Sequence, residues 1–507
     1  MTPPPTIRLH PDDSVVIARA TLLPGTPVAD GVNVVGRIPA GHKVAVRPHA
    51  AGEPVIRYGQ IIGFATAPIA PGEHVHVHNC GMGDFAKDYA WGVDARPTAT
   101  IDPPATFEGI RRADGRVATR NYIGILTSVN CSAHVASVVA DAFRRNPVTG
   151  YDPLADYPNV DGVVALTHKT GCGMTAGEPL TLLRRTLGGF ARHVNFASVI
   201  VLGLGCEVNQ LGGLLEEQRL SGRLRGMDIQ EMGGSRKTVA ASIAHVNEAL
   251  ADANRVRRET APASELMVAL QCGGSDGYSG VSANPALGAA SDLVVQHGGT
   301  VILSETPETY GAEHLLTRRA VSREVGEKLV ALMRWWERYT EREGAELNSN
   351  PSPGNKAGGL TTILEKSLGA MAKCGSTNLV DVVQYAEAVT AKGFVFMDTP
   401  GYDPVAATGQ VAGGANLVCF TTGRGSVFGC KPAPSIKLAT NTAMFARMED
   451  DMDVNCGTVL DGDETVQECG ERIFRKILAT ASGEPTKSEQ FDFGSAEFAP
   501  WQIGATM

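Results

Sequence analysis

Four cysteines each lie just past a short hydrophobic segment of the chain. Cys131 follows NYIGILTSVN, Cys172 follows VDGVVALTHKTG, Cys206 follows FASVIVLGLG, and Cys272 follows ELMVALQ. The segments are rich in Val, Ile and Leu, which is typical of strands that are buried on both faces. Ligands of open α/β sheets bind beyond the carboxyl ends of such strands, and thiolates placed there can bind iron. We therefore predict that all four cysteines are metal ligands.

Buried, unreactive thiols are the alternative for each cysteine, since free Cys is among the most buried residue types. The shared position at strand ends weakens that alternative, and glycine or polar residues flank the thiols in GCGMT, GLGCE and CGGSD. Cys419 in NLVCFTTGRG differs, because apolar residues flank it inside a predicted strand. We interpret Cys419 as a core residue.

Other polar side chains follow the same predicted strands and would line a cleft between two α/β blocks. The first block offers Asn130, His168 and Glu207 beside its cysteines. The second block and its long loop 348–359 offer acids, amides and hydroxyls, namely Ser275, Asp276, Asn284, Glu305, Asn355, Thr399, Thr421 and Thr422.

Arg424 is the cation of this set. It lies in the glycine-flanked turn TTGRG, where backbone N–H groups can hold an anion. A guanidinium in that position can bind a substrate carboxylate through two hydrogen bonds. A structural salt bridge is the alternative for Arg424.

His74, His76 and His78 alternate in HVHVHN, so on one strand all three side chains would share a face. They could form a metal site, and an exposed strand face with nothing bound is the alternative.

Common nucleotide and nucleophile motifs do not occur in the sequence. GLGCE lacks the third glycine and the acidic residue of the dinucleotide fingerprint, and there is no Walker A string. CGGSDG has the wrong spacing for a nucleophile elbow. The sequence therefore argues against chemistry that depends on a nicotinamide or on ATP.

The predicted elements fall into three parts joined by one linker. Residues 1–92 contain short alternating segments between Gly-Pro turns, which indicates a small all-β module, and residues 93–106 predict an extended linker. Strands and helices alternate over 107–255, which predicts a parallel sheet. A second α/β block is predicted over 256–507, with strands near 265–271, 300–304, 378–383, 393–398, 416–421 and 435–439.

Composition limits the classes of partner. The 507 residues carry a net charge of −9, which argues against nucleic acid as a partner. No run approaches the roughly 18 apolar residues that a membrane helix needs, and the first residues lack a secretory pattern. Ten cysteines in such a chain are better interpreted as thiols or ligands than as disulfides. We predict a soluble cytoplasmic protein.

The chain resembles the altronate and galactarate dehydratase family in many long strings. They include RRADGRVATRN, VLGLGCE, LQCGGSDGYSGVSANPALG, SETPE, NPSPGNKAGG, EKSLGA, TTGRG and IKLATN. GHKVA and IRYGQIIGFA resemble the small β-clip (SAF) module of that family. The resemblance implies an α/β protein with an N-terminal SAF module and two α/β blocks with parallel sheets, the last of them Rossmann-like.

The same resemblance implies an activity and its cofactors. We expect a hydro-lyase that converts a sugar acid to a 2-keto-3-deoxy acid and depends on iron or a similar divalent metal such as Mn²⁺. A homodimer is also implied. HVHVHN and NKAGGLTT are more similar to altronate dehydratase, so an altronate-type aldonate is the expected substrate.

The cysteines themselves leave two forms of iron open, because Cys131, Cys172 and Cys206 follow successive strands of one block: a mononuclear Fe²⁺, or a 4Fe–4S cluster held by three thiolates, with Cys272 as a fourth ligand or a substrate contact. Oxygen ligands such as Glu207, Asp276 and Glu305 are the alternative holders of the metal.

Several alternatives stay open within this resemblance. Thr170 departs from the family, where an aromatic residue is expected, so galactarate or another sugar acid could be the substrate. A C–S lyase similar to sulfolactate sulfo-lyase is a second alternative. A non-catalytic sugar-acid binding protein is a third, from another class.

Dehydration needs a base that removes the proton beside the carboxylate and an acid that protonates the leaving hydroxyl. His168 and Glu207 are the predicted pair, because each lies near a strand-end cysteine, and Lys356 is a competitor. The residues predicted to bind substrate are Asn130, Ser275, Asp276, Asn284, Asn355, Thr421, Thr422 and Arg424. The resemblance adds His42, Lys43 and Tyr58 of the SAF module, which would reach the site as a lid and bind substrate. A packing or assembly role is the alternative for the module.

Overall fold

The structure is a computed structural model that describes residues 4–28, 31–85, 87–146, 148–221 and 224–506. It confirms the predicted fold class, an all-β module followed by two α/β parts with parallel sheets. Among the described residues, we find no helix whose length and apolar character would let it span a membrane.

The N-terminal module consists of seven short strands in two antiparallel sheets, ordered β1-β2-β3-β6 and β4-β5-β7. Val55, Ile62 and Val75 belong to the same apolar core as the strands of the C-terminal part, so the module is docked onto that part. The strands are β1 (Thr6–Ile7), β2 (Val15–Ala18), β3 (Lys43–Ala45), β4 (Pro54–Arg57), β5 (Gln60–Ala65), β6 (His74–Val75) and β7 (Cys80–Gly81).

The predicted linker runs along the C-terminal part and is attached to it. Asp94 accepts a hydrogen bond from Arg318 Nε at 2.6 Å, and the Ile101 N–H donates to the Gln296 carbonyl at 2.9 Å. The segment therefore fixes the distance between the module and the middle domain.

The middle domain has a parallel sheet of order β11-β10-β12-β13. A small antiparallel sheet, β14-β8-β9, connects it to the C-terminal part. The strands are β8 (Thr106–Arg111), β9 (Val117–Ala118), β10 (Tyr122–Thr127), β11 (Gly162–Leu166), β12 (Phe196–Gly203), β13 (Arg225–Asp228) and β14 (Glu259–Pro262), and the helices are α1 (Ala133–Asp141), α2 (Glu178–Ala191), α3 (Leu211–Glu217) and α4 (Ser235–Ala253).

The C-terminal domain has a seven-stranded parallel sheet of order β17-β18-β16-β15-β19-β20-β21. Its six predicted strands all exist, with ends within two residues of those expected. The strands are β15 (Met267–Cys272), β16 (Thr300–Leu303), β17 (Leu379–Val383), β18 (Gly393–Met397), β19 (Leu417–Thr422), β20 (Ser435–Ala439) and β21 (Val454–Asn455).

Ten helices of this domain cover its sheet and edges in the described residues. The predicted charged helix is α7, which buries Leu329, Met333 and Trp336 along one face. Loop 348–359, expected to lack helix, contains the five-residue α8, because Ser352 caps its first turn and Pro353 begins it. The helices are α5 (Ala283–Gln296), α6 (His314–Thr317), α7 (Arg323–Arg342), α8 (Pro353–Ala357), α9 (Ile363–Met371), α10 (Asp403–Ala412), α11 (Thr442–Arg447), α12 (Thr458–Asp461), α13 (Val466–Ala481) and α14 (Lys487–Gln490).

The strand order of this sheet determines where a crevice lies. From β15 the chain places β16 beside it, then the edge strand β17, and then β18 between β16 and β17, before it crosses back to place β19 on the other side of β15. Connections therefore leave β15 and β19 in opposite directions, and ligands of open α/β sheets bind at such a switch point. The loops that follow these two strands, 272–278 and 422–426, lie at this crevice.

Candidate active site at the switch point of the C-terminal sheet

The two loops of the crevice are locked together through their backbones. The N–H groups of Gly423 and Arg424 both donate to the Gly274 carbonyl, at 3.1 and 3.0 Å. Gly274 has a φ of +63°, and a Cβ added at Gly423 would lie 2.1 Å from Cγ of Asp276. These positions require glycine because the backbone is left-handed at one and the neighbouring side chain is too close at the other.

Arg424 extends from this rigid turn into solvent. No carboxylate or other acceptor binds its guanidinium within the part of the chain that the structure describes. The salt-bridge alternative is therefore not supported, and the group is free to bind an anion.

The buried polar residues around the crevice bind the loops themselves. Asp276 accepts hydrogen bonds from Tyr278 N, Ser279 Oγ and Thr440 Oγ1, each at 3.1 Å, and burial raises the pKa of its carboxyl. These three hydrogen bonds indicate that the Asp276 carboxylate positions the loops, whereas the sequence predicted that it contacts the substrate.

The same holds for the amides and threonines. Asn284 donates to the Gly369 carbonyl at 2.9 Å and accepts from Thr421 Oγ1 at 2.7 Å. Asn355 donates to the Ser275 carbonyl at 2.9 Å, and Thr422 Oγ1 accepts from Gly425 N at 3.1 Å. Ser275 is buried, and its one described hydrogen bond is the one that its carbonyl accepts from Asn355.

Three histidines of the N-terminal module form a compact group. His42 Nδ1 lies 3.0 Å from His74 Nε2, and the rings of His74 and His76 stack at 5.3 Å. One ring nitrogen from each of the three lies within 4.8 Å of the other two. We call this group the histidine centre.

The prediction that His74, His76 and His78 share one face of a strand is only partly correct. Strand β6 covers His74–Val75 alone, and the chain then turns, with the His76 N–H donating to Asn79 Oδ1 at 2.9 Å. His78 lies exposed in that turn, with its ring 5.4 Å from that of His74. His42 supplies the third imidazole because β3 pairs with β6.

The histidine centre fits a divalent metal ion. Burial, followed by the nearby cations and imidazoles, lowers the pKa of His74 to about 4 and that of His76 to about 3, so both are neutral at pH 7 as ligands must be. Nδ1 of His76 is buried without a partner among the described residues. Nitrogen ligands at the corners of a tetrahedron, with bonds of about 2.0–2.1 Å to the ion, lie about 3.3 Å apart, and the His42–His74 distance of 3.0 Å is close to this value.

The histidine centre touches the crevice loops. His42 Nε2 lies 3.3 Å from the Ala357 carbonyl of α8, next to the half-buried Lys356. The Gly277 N–H donates to the Gly358 carbonyl at 2.8 Å, and a Cβ added at Gly277 would lie 1.9 Å from the Gly41 carbonyl oxygen. The histidine centre, Lys356 and loop 272–278 therefore form one region.

Lys43 and Tyr58, expected in a lid, lie in the contact between the module and α9. Lys43 Nζ donates to Glu365 at 2.9 Å and to the Gly359 carbonyl at 2.6 Å, and Arg57 donates to the other Glu365 oxygen at 2.5 Å. Burial alone would raise the pKa of Glu365, but the two cations lower it to about 2. Burial raises the pKa of Tyr58 to about 12, and its ring lies 4.5 Å from the Arg57 guanidinium. These groups hold the module in place.

Cys131, Cys172 and Cys206 are exposed, unpaired thiols at the carboxyl ends of three adjacent strands of the middle sheet. Partial burial, followed by the neighbouring Cys172 and Cys206 thiols, raises the pKa of Cys131. The structure therefore brings the three together, and we call them the thiol site. The exposed Asn130 lies beside it, with its N–H on the Thr170 carbonyl at 2.9 Å.

His168 and Glu207 are buried beneath the thiol site and lack the freedom that a base and an acid need. His168 uses both ring nitrogens, with Nε2 on the Thr127 carbonyl at 2.8 Å and Nδ1 accepting from Thr170 N at 3.3 Å, and burial lowers its pKa to about 4. Burial alone would raise the pKa of Glu207, but a 2.6 Å hydrogen bond from Ser128 and backbone N–H groups lower it. These contacts favour loop positioning for His168 and Glu207, and their predicted roles as base and acid stay untested predictions.

Cys272 has different neighbours from the other three predicted ligands. Its Sγ accepts from Lys373 Nζ at 2.8 Å and lies 3.7 Å from oxygens of Glu305 and Glu308. Burial raises the pKa of the Cys272 thiol to about 12, and burial and Glu308 raise that of Glu305 to about 8. Lys373 and Glu308 were not predicted. Glu308 ends the SETPE string, which is one of the strings that resemble the family, so the sequence carried a signal for it that was not used, whereas no pattern marks Lys373.

Family models match the chain in three successive segments. They are described as the altronate/galactarate dehydratase SAF domain over 4–83, the second domain of D-galactarate dehydratase/altronate hydrolase over 109–254, and the C-terminal domain of D-galactarate/altronate dehydratase over 263–506. Galactarate dehydratase (L-threo-forming) of Escherichia coli (strain K12) is 40% identical, over 96% of this chain and 94% of the relative. The chain belongs to the altronate/galactarate dehydratase family.

Other relatives show the breadth of this dehydratase family. Altronate dehydratase of Bacillus subtilis (strain 168) is 34% identical over 99% of both chains. The beta subunit of (2R)-sulfolactate sulfo-lyase of Chromohalobacter salexigens is 34% identical over 78% of this chain and 96% of the relative. The crevice, the histidine centre and the thiol site all lie within the segments that the family models match.

Proposed function

We propose that this protein is a metal-dependent dehydratase that removes water from a sugar acid and yields a 2-keto-3-deoxy acid. One observation carries the proposal: a group of three neutral imidazoles adjoins the switch-point crevice, where the guanidinium of Arg424 has no described partner. Membership of the dehydratase family supports it.

Each residue of this region has a separate role in substrate binding, metal binding or proton transfer. Arg424 binds the substrate carboxylate, and His42, His74 and His76 would hold the metal ion. That ion, Fe²⁺ or Mn²⁺, would supply Lewis-acid stabilisation of the negative charge that develops when the neighbouring proton leaves. Lys356, on α8 beside His42, takes over the roles predicted for His168 and Glu207: it removes the proton beside the carboxylate and passes it to the leaving hydroxyl, which departs as water.

The substrate is the finer part of the proposal. Identity to the galactarate dehydratase is 40%, against 34% to the altronate dehydratase, so we do not retain the sequence-based preference for altronate. Galactarate carries a carboxylate at each end, and Arg424 would bind one of them. We propose a dicarboxylic sugar acid as the preferred substrate and an aldonate as the alternative. The homodimer and the cytoplasmic location stay predictions.

A substrate panel tests the activity. The protein, purified without oxygen and supplied with Fe²⁺ or Mn²⁺, is incubated with galactarate, altronate and (2R)-sulfolactate, and 2-keto-3-deoxy acid and sulfite are measured. We expect keto acid from galactarate without NAD or ATP. Sulfite from sulfolactate alone would point to the C–S lyase, and binding without any product would point to the non-catalytic alternative.

A further inference from the structure

We infer that Cys131, Cys172 and Cys206 hold a 4Fe–4S cluster through three thiolates, at a second metal site that is separate from the histidine centre. The inference does not depend on which sugar acid is the substrate. It rests on how the three loops are arranged, on the spacing of the sulfurs and on the buried groups beneath them.

The three cysteines are placed by one sheet edge. They follow β10, β11 and β12, which are neighbours in the parallel sheet, so all three loops leave the same edge side by side. All three thiols are exposed, whereas the other seven cysteines of the chain are buried. Exposure of three adjacent free thiols is unusual for a residue type that is normally buried.

The loops that carry the thiols are bonded to one another. The Asn209 N–H donates to the Gly171 carbonyl at 3.0 Å, and Asn209 Nδ2 donates to the Ser128 carbonyl at 2.9 Å. Gly171 has a φ of +101°, and a Cβ there would lie 2.4 Å from the Ser128 carbonyl oxygen. The Cys172 loop therefore packs closely across the Cys131 loop in a way that only glycine allows.

Buried polar groups make this edge rigid. The Glu207 carboxylate accepts from Ser128 Oγ, from Leu204 N at 3.1 Å and from Gly205 N at 2.7 Å, directly before Cys206. His168 fixes the start of the Cys172 loop through both of its ring nitrogens. Burial of a carboxylate and an imidazole costs desolvation free energy even when both are hydrogen-bonded. Such buried groups are expected where they must hold loops in a fixed geometry.

The spacing of the sulfurs favours a cluster over one ion. Three thiolates on a single tetrahedral ion, with metal–sulfur bonds of about 2.3 Å, would lie about 3.8 Å apart. Among the described residues, groups of three ligand atoms within 4.8 Å of one another occur at His42, His74 and His76 and at Cys272, Glu305 and Glu308, and not at the three exposed cysteines. At least one pair of these sulfurs is therefore more than 4.8 Å apart, while Cys131 and Cys172 are close enough for a hydrogen bond between their thiols. A cluster binds each thiolate through a different iron and so accepts wider spacing.

The surroundings also supply a hydrogen bond of the kind that tunes such clusters. Gln230 Nε2 donates to Cys206 Sγ at 3.4 Å. Cys272 accepts a hydrogen bond from Lys373 inside the C-terminal domain. The fourth iron of the cluster would therefore have no cysteine ligand among the four predicted ones, and it could bind an oxygen atom of a small acid.

Iron and sulfide analysis of the full-length protein tests the inference. The protein is purified without oxygen, supplied with ferrous iron and sulfide, and freed of excess reagents. We expect about four iron and four sulfide per chain, as in a 4Fe–4S cluster, with broad absorption near 400 nm. Cys131→Ser, Cys172→Ser and Cys206→Ser should each lose most of the sulfide.

Two controls keep the test specific. Cys469→Ser replaces a buried thiol that accepts from Arg472 at 3.5 Å, which a hydroxyl can also do, and it should keep the full sulfide content. His76→Gln should keep the sulfide as well, because the histidine centre is a different site. Iron without sulfide, zinc in place of iron, or full sulfide in all three exposed-cysteine variants would overturn the inference. Thermal unfolding of the metal-free variants checks that each one is folded.

Discussion

At the residue scale, polar side chains near strand ends fall into two groups with different tasks. Arg424, Lys356 and the three exposed thiols all reach the surface. Arg424 and Lys356 have no described partner for their charged groups, and the thiols make only weak contacts, Cys206 with Gln230 Nε2 at 3.4 Å and Cys131 with Cys172. His168 and Glu207 are buried and fully bonded to the backbone. The second group positions the first, and the candidate chemistry belongs to the outward-facing side chains.

Replacement of Arg424 by Lys tests the carboxylate contact. Lys keeps the charge but loses the planar pair of donors, so we expect kcat/KM to fall at least tenfold, which corresponds to about 1.4 kcal/mol. Steady-state kinetics with galactarate and altronate measure it. Arg323→Lys, at an exposed residue of α7 paired with Glu327, is the matched control. Equal kinetics in the two variants would show that Arg424 does not bind substrate.

Replacement of His76 by Gln tests the histidine centre. It removes one imidazole, so we expect Mn²⁺ affinity to fall at least tenfold in a calorimetric titration. His78→Gln, in the same turn but outside the centre, should leave affinity nearly unchanged. The two variants would behave alike if the centre held no metal.

The pH dependence of metal binding follows from the imidazole pKa values. Protons compete with the metal only when the ligands titrate, and the pKa of His74 is lowered to about 4 and that of His76 to about 3. Burial also lowers the pKa of His42, the third ligand, from its ordinary value of 6.5. We therefore expect the loss of Mn²⁺ affinity with falling pH to lie below pH 6.5 and to be steepest near pH 4. A steep loss centred near pH 6.5 would show instead that the imidazoles are ordinary exposed ones.

At the element scale, α9 joins the N-terminal module to the C-terminal domain. Glu365 of this helix binds Lys43 and Arg57, and the next residue, Lys366, donates to Glu308 at 2.6 Å. The strands were predictable because their apolar runs are local signals. The Lys43–Glu365 pair was not, because 322 residues separate its partners and no local pattern marks them.

Replacement of Glu365 by Gln tests how the module is held. It leaves two buried cations unpaired, so we expect the free energy of unfolding to fall by about 3–5 kcal/mol. Glu343→Gln, at an exposed residue beside Arg342, is the control. The pKa of Glu365 lies at about 2 when folded and near 4.5 when unfolded, so its contribution is complete above pH 4.5 and is lost as pH falls toward 2. The difference between wild type and variant should shrink over that range in urea titrations.

At the scale of the whole molecule, both parallel sheets carry their candidate chemistry at the carboxyl ends of their strands. The sequence predicted the strands and placed Arg424 and the three exposed cysteines just past their ends, where the structure has them. Their roles stay predictions. The sequence prediction missed His42 as the third member of the histidine centre. Val44 pairs with His74 in the antiparallel sheet, and this pairing brings His42 into the histidine centre. An interpretation of GHKVA and HVHVHN as neighbouring strands would have predicted it.

The most direct test of the central claim is the reaction run in D₂O with galactarate and the metal-loaded protein. Removal of the proton beside the carboxylate, loss of hydroxide from the next carbon and ketonisation place one solvent-derived hydrogen on that carbon. We predict a 2-keto-3-deoxy acid with one deuterium at carbon 3 by mass spectrometry, and no product from the metal-free protein or from His76→Gln. A product without deuterium, or equal turnover by the metal-free protein, would contradict a metal-dependent dehydration at this site.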